Sequence, residues 1–106
     1  NLKDDENSLS CLKKLLEINP NSDQAHFQFA AIMFGMREYK TALNAINEAL
    51  RIYSNGFDSN IMKAQILHLL KDSSYKEWIE NARKIDPKRT KNFMKHYWID
   101  DIEKDN

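Results

Sequence analysis

The chain has 106 residues, of which 42% are apolar and 30% charged, with only two glycines and two prolines. That balance suits one soluble helical domain, residues 1–106, with a modest core. The formal net charge of zero removes the usual electrostatic argument for nucleic acid or an anionic membrane as partner. The longest apolar run, Phe29 to Phe34, is far shorter than the ~20 residues that span a bilayer.

The first residue and the cysteine content bear on processing and compartment. The chain begins at Asn1 without a methionine and shows no signal peptide, which suggests an excised piece of something longer. Cys11 is the only cysteine, so no internal disulfide forms, and we interpret it as a small packing residue rather than a nucleophile. We expect a cytoplasmic location, with which a lone thiol is compatible.

The first predicted helix covers about residues 7 to 19 and carries an apolar stripe at three- and four-residue steps, formed by Leu9, Leu12, Leu15, Leu16 and Ile18. Pro20 ends this helix, because proline cannot donate to the helical hydrogen-bond ladder. Ser22 or Asp23 is expected to cap a second helix that runs to about Met36. Gly35, near the end of that helix, suits the tight turn that follows.

Four further helices are predicted, over about residues 39–53, 58–70, 74–86 and 88–102. Asp58 or Ser59 is expected to cap the fourth helix of the chain. Ser74 and Glu77 have the spacing of a capping box at the start of the fifth. Six helices joined by short turns predict an all-α fold with antiparallel neighbours and no β structure.

The chain also matches itself when it is shifted along its own sequence, first by one period and then by a second of nearly the same length. Residues in register include Ile18 with Ile52 and Ile85, Leu12 with Ile46 and Ile79, Ala30 with Ala64, and Ala49 with Ala82. A period of about 34 residues made of two helix-length segments is typical of a helical solenoid, which acts through the surfaces of its stacked repeats. Small residues are expected where helices cross, which here are Ala30, Ala42, Ala49, Ala64 and Ala82.

The period and several key residues resemble the tetratricopeptide repeat (TPR) family, whose helix-turn-helix unit follows the pattern W-x2-L-G-x2-Y, then A-x3-F, then P. The most specific stretch is EYKTALNAINEALRI, in which Tyr39 precedes Ala42 and Ile46 takes the aromatic place. In the next copy, Lys63 at the Leu place and Tyr75 at the first Ala place depart from the pattern. The resemblance covers nearly the whole chain and implies a TPR-type α-solenoid of about six antiparallel helices.

The TPR register divides the single domain into a half repeat (7–21), two full repeats (22–55 and 56–87) and a C-terminal capping helix (88–104). In this division the first helix is the second half of a repeat whose first half is missing. We therefore expect part of its stripe, formed by Leu9, Leu12, Leu15 and Leu16, to be uncovered, as at an interface.

In TPR arrays the first helix of each pair lines the concave face, so the resemblance implies a groove for a partner peptide or helix. Carried over position by position, it selects Gln24, Phe27, Ala31 and Phe34 in the first full repeat, Asp58, Ile61, Gln65 and His68 in the second, and Lys91, Met94, Lys95 and Trp98 in the closing helix. The alternative for Phe27 and Phe34 is packing against a neighbouring helix.

Two other binding modes have weaker support. Some TPR domains clamp the C-terminal carboxylate of heat-shock chaperones, but the matching places here are Phe27, Ala31, Met62, Lys91 and Lys95, of which only the two lysines are charged. Basic residues between 83 and 96 are interleaved with Phe93, Tyr97 and Trp98, a combination that can bind single-stranded RNA or phosphopeptide. We favour a solvated basic face over core aromatics, because base-binding repeats usually carry a net positive charge.

Enzyme chemistry has little support in the sequence. His26, His68 and His96 belong to different repeats, and no HExxH motif, phosphate-cradling glycine loop or paired metal ligands occur. His26 is interpreted as a packing residue at the Trp place. We expect a non-enzymatic adaptor or scaffold without cofactor or metal, which binds a protein or peptide partner. The alternatives are a self-associating unit, as a homodimer or in a longer array, and an RNA-binding helical repeat.

Overall fold

The computed structural model describes the backbone of residues 2–97 and the side chains of residues 6–96. Within those residues the chain forms six helices, α1 (Leu2–Ile18), α2 (Asp23–Gly35), α3 (Tyr39–Ile52), α4 (Phe57–Leu69), α5 (Tyr75–Ile85) and α6 (Pro87–Tyr97). Each packs on the helices before and after it, most extensively α2 on α3 and α4 on α5, and α2 also touches α4. The predicted all-α order with antiparallel neighbours is therefore confirmed. None of these helices is both long and apolar enough to span a bilayer.

The helix starts agree with the sequence only in part. Ser22 caps α2 as predicted, and its Oγ accepts a hydrogen bond from the Ala25 N–H at 3.2 Å. The cap of α4 is Gly56, so capping by Asp58 or Ser59 is wrong. Glycine is a common cap because the extended backbone needs no side chain there. The first helix, α1, begins at Leu2, which is more than one turn earlier than predicted.

The predicted capping box of α5 is also absent. Ser74 precedes the helix but its side chain makes no capping hydrogen bond. Instead the Ser74 N–H donates to Asp72 Oδ1 at 2.9 Å, a local turn that competes with a box to Glu77. The hydrogen bonds from Ser74 lower the pKa of the Asp72 carboxyl. For α6, Trp98 and the predicted extension to residue 104 lie outside the described residues.

The turn inside each helix pair recurs with the sequence period. Arg37 has a φ of 64°, and Lys71, one period later, has a φ of 61°. Arg37 N–H donates to Phe34 O at 3.0 Å, and Lys71 N–H donates to His68 O at the same distance. The chain therefore leaves α2 and α4 through the same left-handed residue. Gly35 remains inside α2 with a negative φ, so the glycine predicted to make this turn does not make it.

The core consists of two clusters, one for each helix pair. The first joins α2 and α3 and includes Ile66 of α4, and its buried residues are Ala30, Met33, Ala42, Ala45, Ile46, Ala49 and Ile66. The second joins α4 and α5 through Ile61, Ala64, Leu67, Tyr75, Ile79 and Ala82. The five alanines predicted at helix crossings are at most 1% exposed, which confirms their place between the helices. The division into repeats stays a prediction.

The two departures from the TPR pattern are accommodated by aromatic contacts. Tyr75 is buried, and its ring lies edge-on to that of His68 with centroids 4.8 Å apart. Lys63 is half-buried with Nζ 4.0 Å from the centre of the Trp78 ring, a cation–π geometry. Burial lowers the pKa of the Lys63 ammonium, and the charge of Glu77 partly offsets that effect.

The apolar stripe of α1 is uncovered in part, as expected. Leu12 is 6% exposed and Leu9 packs against the first core cluster, so these two residues are not the uncovered ones. The exposed members are Leu15, at 45%, and Ile18, at 83%. Cys11 is also exposed, so its interpretation as a packing residue is wrong. The reason is geometrical, because α2 covers only one side of α1.

Ala49 tests the close helix crossing directly. Ala49→Leu should lower the free energy of unfolding by about 1–3 kcal/mol, since the added side chain must push α2 and α3 apart. Asn44→Leu, on the exposed side of the same helix, is the matched control and should have a much smaller effect. Urea denaturation of both variants measures the difference, and equal stabilities would contradict the crossing.

The left-handed turn residues provide a stabilising test. Arg37→Gly and Lys71→Gly should each raise the free energy of unfolding by about 0.5–1 kcal/mol, because a residue with a Cβ is strained at this φ and glycine is not. Lys40→Gly, exposed but helical, should instead lower it. Thermal melts that show all three variants destabilised would refute the shared turn geometry.

Candidate functional site

Two side chains at equivalent positions anchor the turns that precede α2 and α4. His26 Nε2 donates to Pro20 O at 2.9 Å, and Asn60, one sequence period later, donates through Nδ2 to Ser54 O at 3.1 Å and Gly56 O at 2.7 Å. Asn60 is 1% exposed, so its amide satisfies these carbonyls away from water. His26 therefore does more than the packing expected of it. Both turns are held against the helices they introduce.

The anchored turn before α4 and the first turn of α2 border an open groove of about 440 Å3, which we call the A-helix groove. It crosses the N-terminal turns of α2 and α4 and reaches the first turn of α6, while α3 and α5 contribute at their C-terminal ends. Its walls include Gln24, Phe27, Tyr53, Phe57, Asp58, Ile85 and Arg89. Three of the predicted partner-binding residues, Gln24, Phe27 and Asp58, are thus brought together in one place.

The polar wall of this groove is an ion pair between helices. Arg89 Nη2 donates to Asp58 Oδ1 at 3.0 Å, and the guanidinium lies 4.2 Å from the centre of the Phe57 ring. The side chains of Arg89 and Asp58 are 56% and 67% exposed, so water screens the pair and it contributes only about 0–1 kcal/mol to stability. Both charges are therefore accessible to a ligand at small energetic cost.

The apolar wall serves the core as well as the groove. Phe27 lines the groove and is also half-buried against the first core cluster, so both interpretations of this residue describe part of its surroundings. Phe34 lies outside the groove, where its ring packs edge-on against Tyr39 at 5.7 Å and against the same cluster. The contacts of Phe34 are therefore those of the alternative interpretation, in which it packs against a neighbouring helix.

The remaining predicted residues are distributed over other surfaces. Ala31, on α2, lines a cavity between α1 and α2, and Ile61 is 7% exposed within the second core cluster. The His68 ring lies edge-on to that of Tyr75, and Gln65 is half-buried. The Met94 sulfur accepts a hydrogen bond from Arg83 Nη2 at 3.3 Å, and its side chain packs on the second cluster.

Lys91 and Lys95 form a separate basic surface on α6. Together with Lys88, Arg89 and Asn92 they line a shallow cavity of about 400 Å3 next to the A-helix groove, with Arg89 common to both. Whether any of these predicted residues contacts a partner stays a prediction.

Some of the basic and aromatic residues between 83 and 96 already make contacts within the chain. Arg83 pairs with Glu80, Arg89 pairs with Asp58, and Phe93 packs against the second core cluster. The described residues of α6 therefore form a basic surface over Phe93, an aromatic residue that packs on the core. Within residues 6–96, moreover, no three histidine, cysteine or acidic side chains come together as metal ligands.

Sequence reasoning missed Arg89 and Phe57 as groove residues. In the repeat register Arg89 corresponds to Gly56 and to Ser22, which are helix caps with little or no side chain. Position-by-position transfer therefore gave no reason to expect a long side chain there. The available signal was an aromatic and an acidic residue at 57 and 58, with an arginine shortly after Pro87.

Paired antiparallel helices, a turn that recurs with the sequence period and alanines at the crossing of each pair define a TPR-type helical repeat. No model of a known protein family matches the chain. No curated protein matches it either. Among solved structures, the chain described as MamA RS-1 ArsTM double mutant, a TPR protein, superposes with a TM-score of 0.73 at 19% sequence identity.

That match covers 82% of this chain and 49% of the MamA chain, so the chain spans about half the length of the protein it matches. Similarity at this level of identity concerns the fold. The predicted TPR-type fold is confirmed.

Asn60 is the residue whose loss should most disturb the border of the A-helix groove. Asn60→Ala should lower the free energy of unfolding by about 1–3 kcal/mol, because the carbonyls of Ser54 and Gly56 lose a buried donor. Asn47→Ala, exposed on α3, should change it by no more than about 0.5 kcal/mol. Chemical denaturation compares the two, and equal effects would show that the anchored turn is unimportant for stability.

Proposed function

We propose that this chain is a protein-interaction module that binds a segment of a partner protein, as a peptide or a helix, in the A-helix groove. The observation that carries the proposal is the accessible Asp58–Arg89 pair, with the Arg89 guanidinium over the aromatic ring of Phe57, in the same groove as Phe27. A concave site with apolar walls and a few convergent polar groups is the usual form of a recognition site.

The chemistry of the walls indicates what such a segment carries. Phe27, Phe57 and Ile85 offer apolar surface, which supplies affinity when a partner side chain displaces water from it. Gln24 can accept and donate a hydrogen bond, as an extended backbone requires. Arg89 offers a planar guanidinium suited to a carboxylate. The matching ligand is an apolar side chain next to an acidic one.

The charge on α6 supports an acidic partner. Between Pro87 and Tyr97 this helix carries lysines and an arginine and no aspartate or glutamate, and Lys88, Lys91 and Lys95 are exposed beside the groove. A positive surface next to a binding site accelerates the approach of a negatively charged segment and fixes its direction. We therefore infer that the acidic end of the partner segment lies over α6 and its apolar end over α2.

A displayed library of short random peptides, selected on the immobilised chain, tests the proposal. We expect selected peptides to combine an apolar residue with an acidic one. Arg89→Ala should weaken their binding at least 10-fold, because it removes the charge that faces the acidic group. Arg51→Ala is the matched control, since Arg51 is an exposed arginine in a surface pair with Glu48 on α3. Fluorescence anisotropy measures both.

Two outcomes would refute this function. One is that no peptide is enriched. The other is that the enriched peptides bind Arg89→Ala and Gln24→Lys as tightly as they bind the original chain, while circular dichroism shows all proteins folded. Rising salt concentration provides a further check, because binding to an exposed basic surface must weaken as the charges are screened.

A further inference from the structure

Equivalent positions on α1 and α3 differ sharply in burial. On α3, Ala42, Ala45 and Ala49 are at most 8% exposed, because α2 covers them. The residues one sequence period earlier on α1 are Ser8, Cys11 and Leu15, and all three are exposed. The side of α1 that corresponds to the most extensive helix contact in the described part of the chain is therefore not covered by any of the six described helices.

The neighbouring face of α2 shows the same asymmetry. Ile66 on α4 is completely buried against the α2–α3 pair, whereas Ile32, its counterpart on α2, is only half-buried. Between these two faces runs an open groove of about 630 Å3, which we call the α1–α2 groove, lined chiefly by Ser8, Cys11, Leu12, Leu15, Ala31 and Ile32. It continues the α2–α3 interface by one repeat.

We propose that the α1–α2 groove is a docking site for one amphipathic helix of a partner protein, which packs there as α2 packs on α3. Ser8 and Cys11 are small, as Ala42 and Ala45 are, so an incoming helix can approach α1 closely. This site is separate from the A-helix groove and goes beyond the function proposed for that groove.

Leu15 gives this docking site its anchor. It stands where α3 has Ala49, and its side chain is 45% exposed beside Ala31 and Ile32. A partner helix gains most by covering Leu15, since burying an exposed leucine is worth far more than burying an alanine. The groove is also formed in advance, because Leu12 is buried and Leu9 packs on the first core cluster without a partner.

The probe is a synthetic peptide with the sequence of residues 22–36, which contains α2. In the peptide, Gln24→Glu and Gln28→Lys, two positions that are exposed on α2, allow the carboxyl and the amine to condense into a lactam bridge, which holds the peptide helical and reduces the ordering cost of binding. We expect saturable binding in fluorescence anisotropy. Cys11, the only thiol, should at the same time react at least 5-fold more slowly with N-ethylmaleimide, because it lies in the occupied groove.

Two variants of the chain and one of the peptide locate the binding. Leu15→Glu should weaken it at least 10-fold, whereas Ile18→Glu, an exposed position on α1 that does not line the groove, should leave it unchanged. An Ala30→Trp peptide, with bulk at the helix crossing, should bind at least 10-fold more weakly than the original peptide. Arg89→Ala should have no effect, so failure of this proposal is distinct from failure of the proposed function.

Three results would overturn the proposal. Peptide binding that leaves Cys11 fully reactive, or that survives Leu15→Glu, would place the peptide elsewhere. One such place is the surface of α3, if the peptide displaces α2 of the chain. The absence of saturable binding by the bridged peptide would show that the groove does not accept such a helix. Sedimentation of the chain alone as a dimer whose Cys11 is protected would assign the groove to a second copy.

Discussion

The close approach of helices at alanine is the constraint on which the rest of this structure depends. Ala30, Ala42 and Ala49 are at most 1% exposed where α2 crosses α3, and Ala64 and Ala82 play the same part between α4 and α5. Methyl groups let the helix axes approach, so that Met33, Ile46 and Ile79 can fill the space on either side. The two helix pairs then stack, and their N-terminal turns align into one groove.

The existence, order and type of the six helices could be predicted because the apolar period and the prolines act locally. The alanine crossings could be predicted from the repeat, since small residues recur where the geometry demands them. The conformation of single turn residues could not be predicted in this way. Arg37 takes the left-handed position although Gly35 is close by, because the shared turn fixes the place of that residue and α2 extends through Gly35.

For the candidate site, the repeat register correctly identified which helices border the groove, but it was less successful in identifying which side chains line it. Gln24, Phe27 and Asp58 line it, whereas Ile61 is buried and Phe34 packs on Tyr39. A register states which residues are equivalent, but it does not state how far each helix is rotated or how far a side chain reaches. Arg89 on α6 reaches Asp58 on α4, a contact that no local pattern contains.

The placement of α6 depends on different interactions from that of the other helices. It has no alanine, and its completely buried residue is Thr90, whose hydroxyl donates to Asp86 O at 2.9 Å. Its other contacts with α4 and α5 include the packing of Phe93 and Met94 and the exposed pair of Arg89 with Asp58. A partner carboxylate that pairs with Arg89 competes with Asp58 for the same guanidinium. If a partner binds the A-helix groove as proposed, its binding and the position of α6 would be coupled through this pair, and by linkage each would affect the other equally.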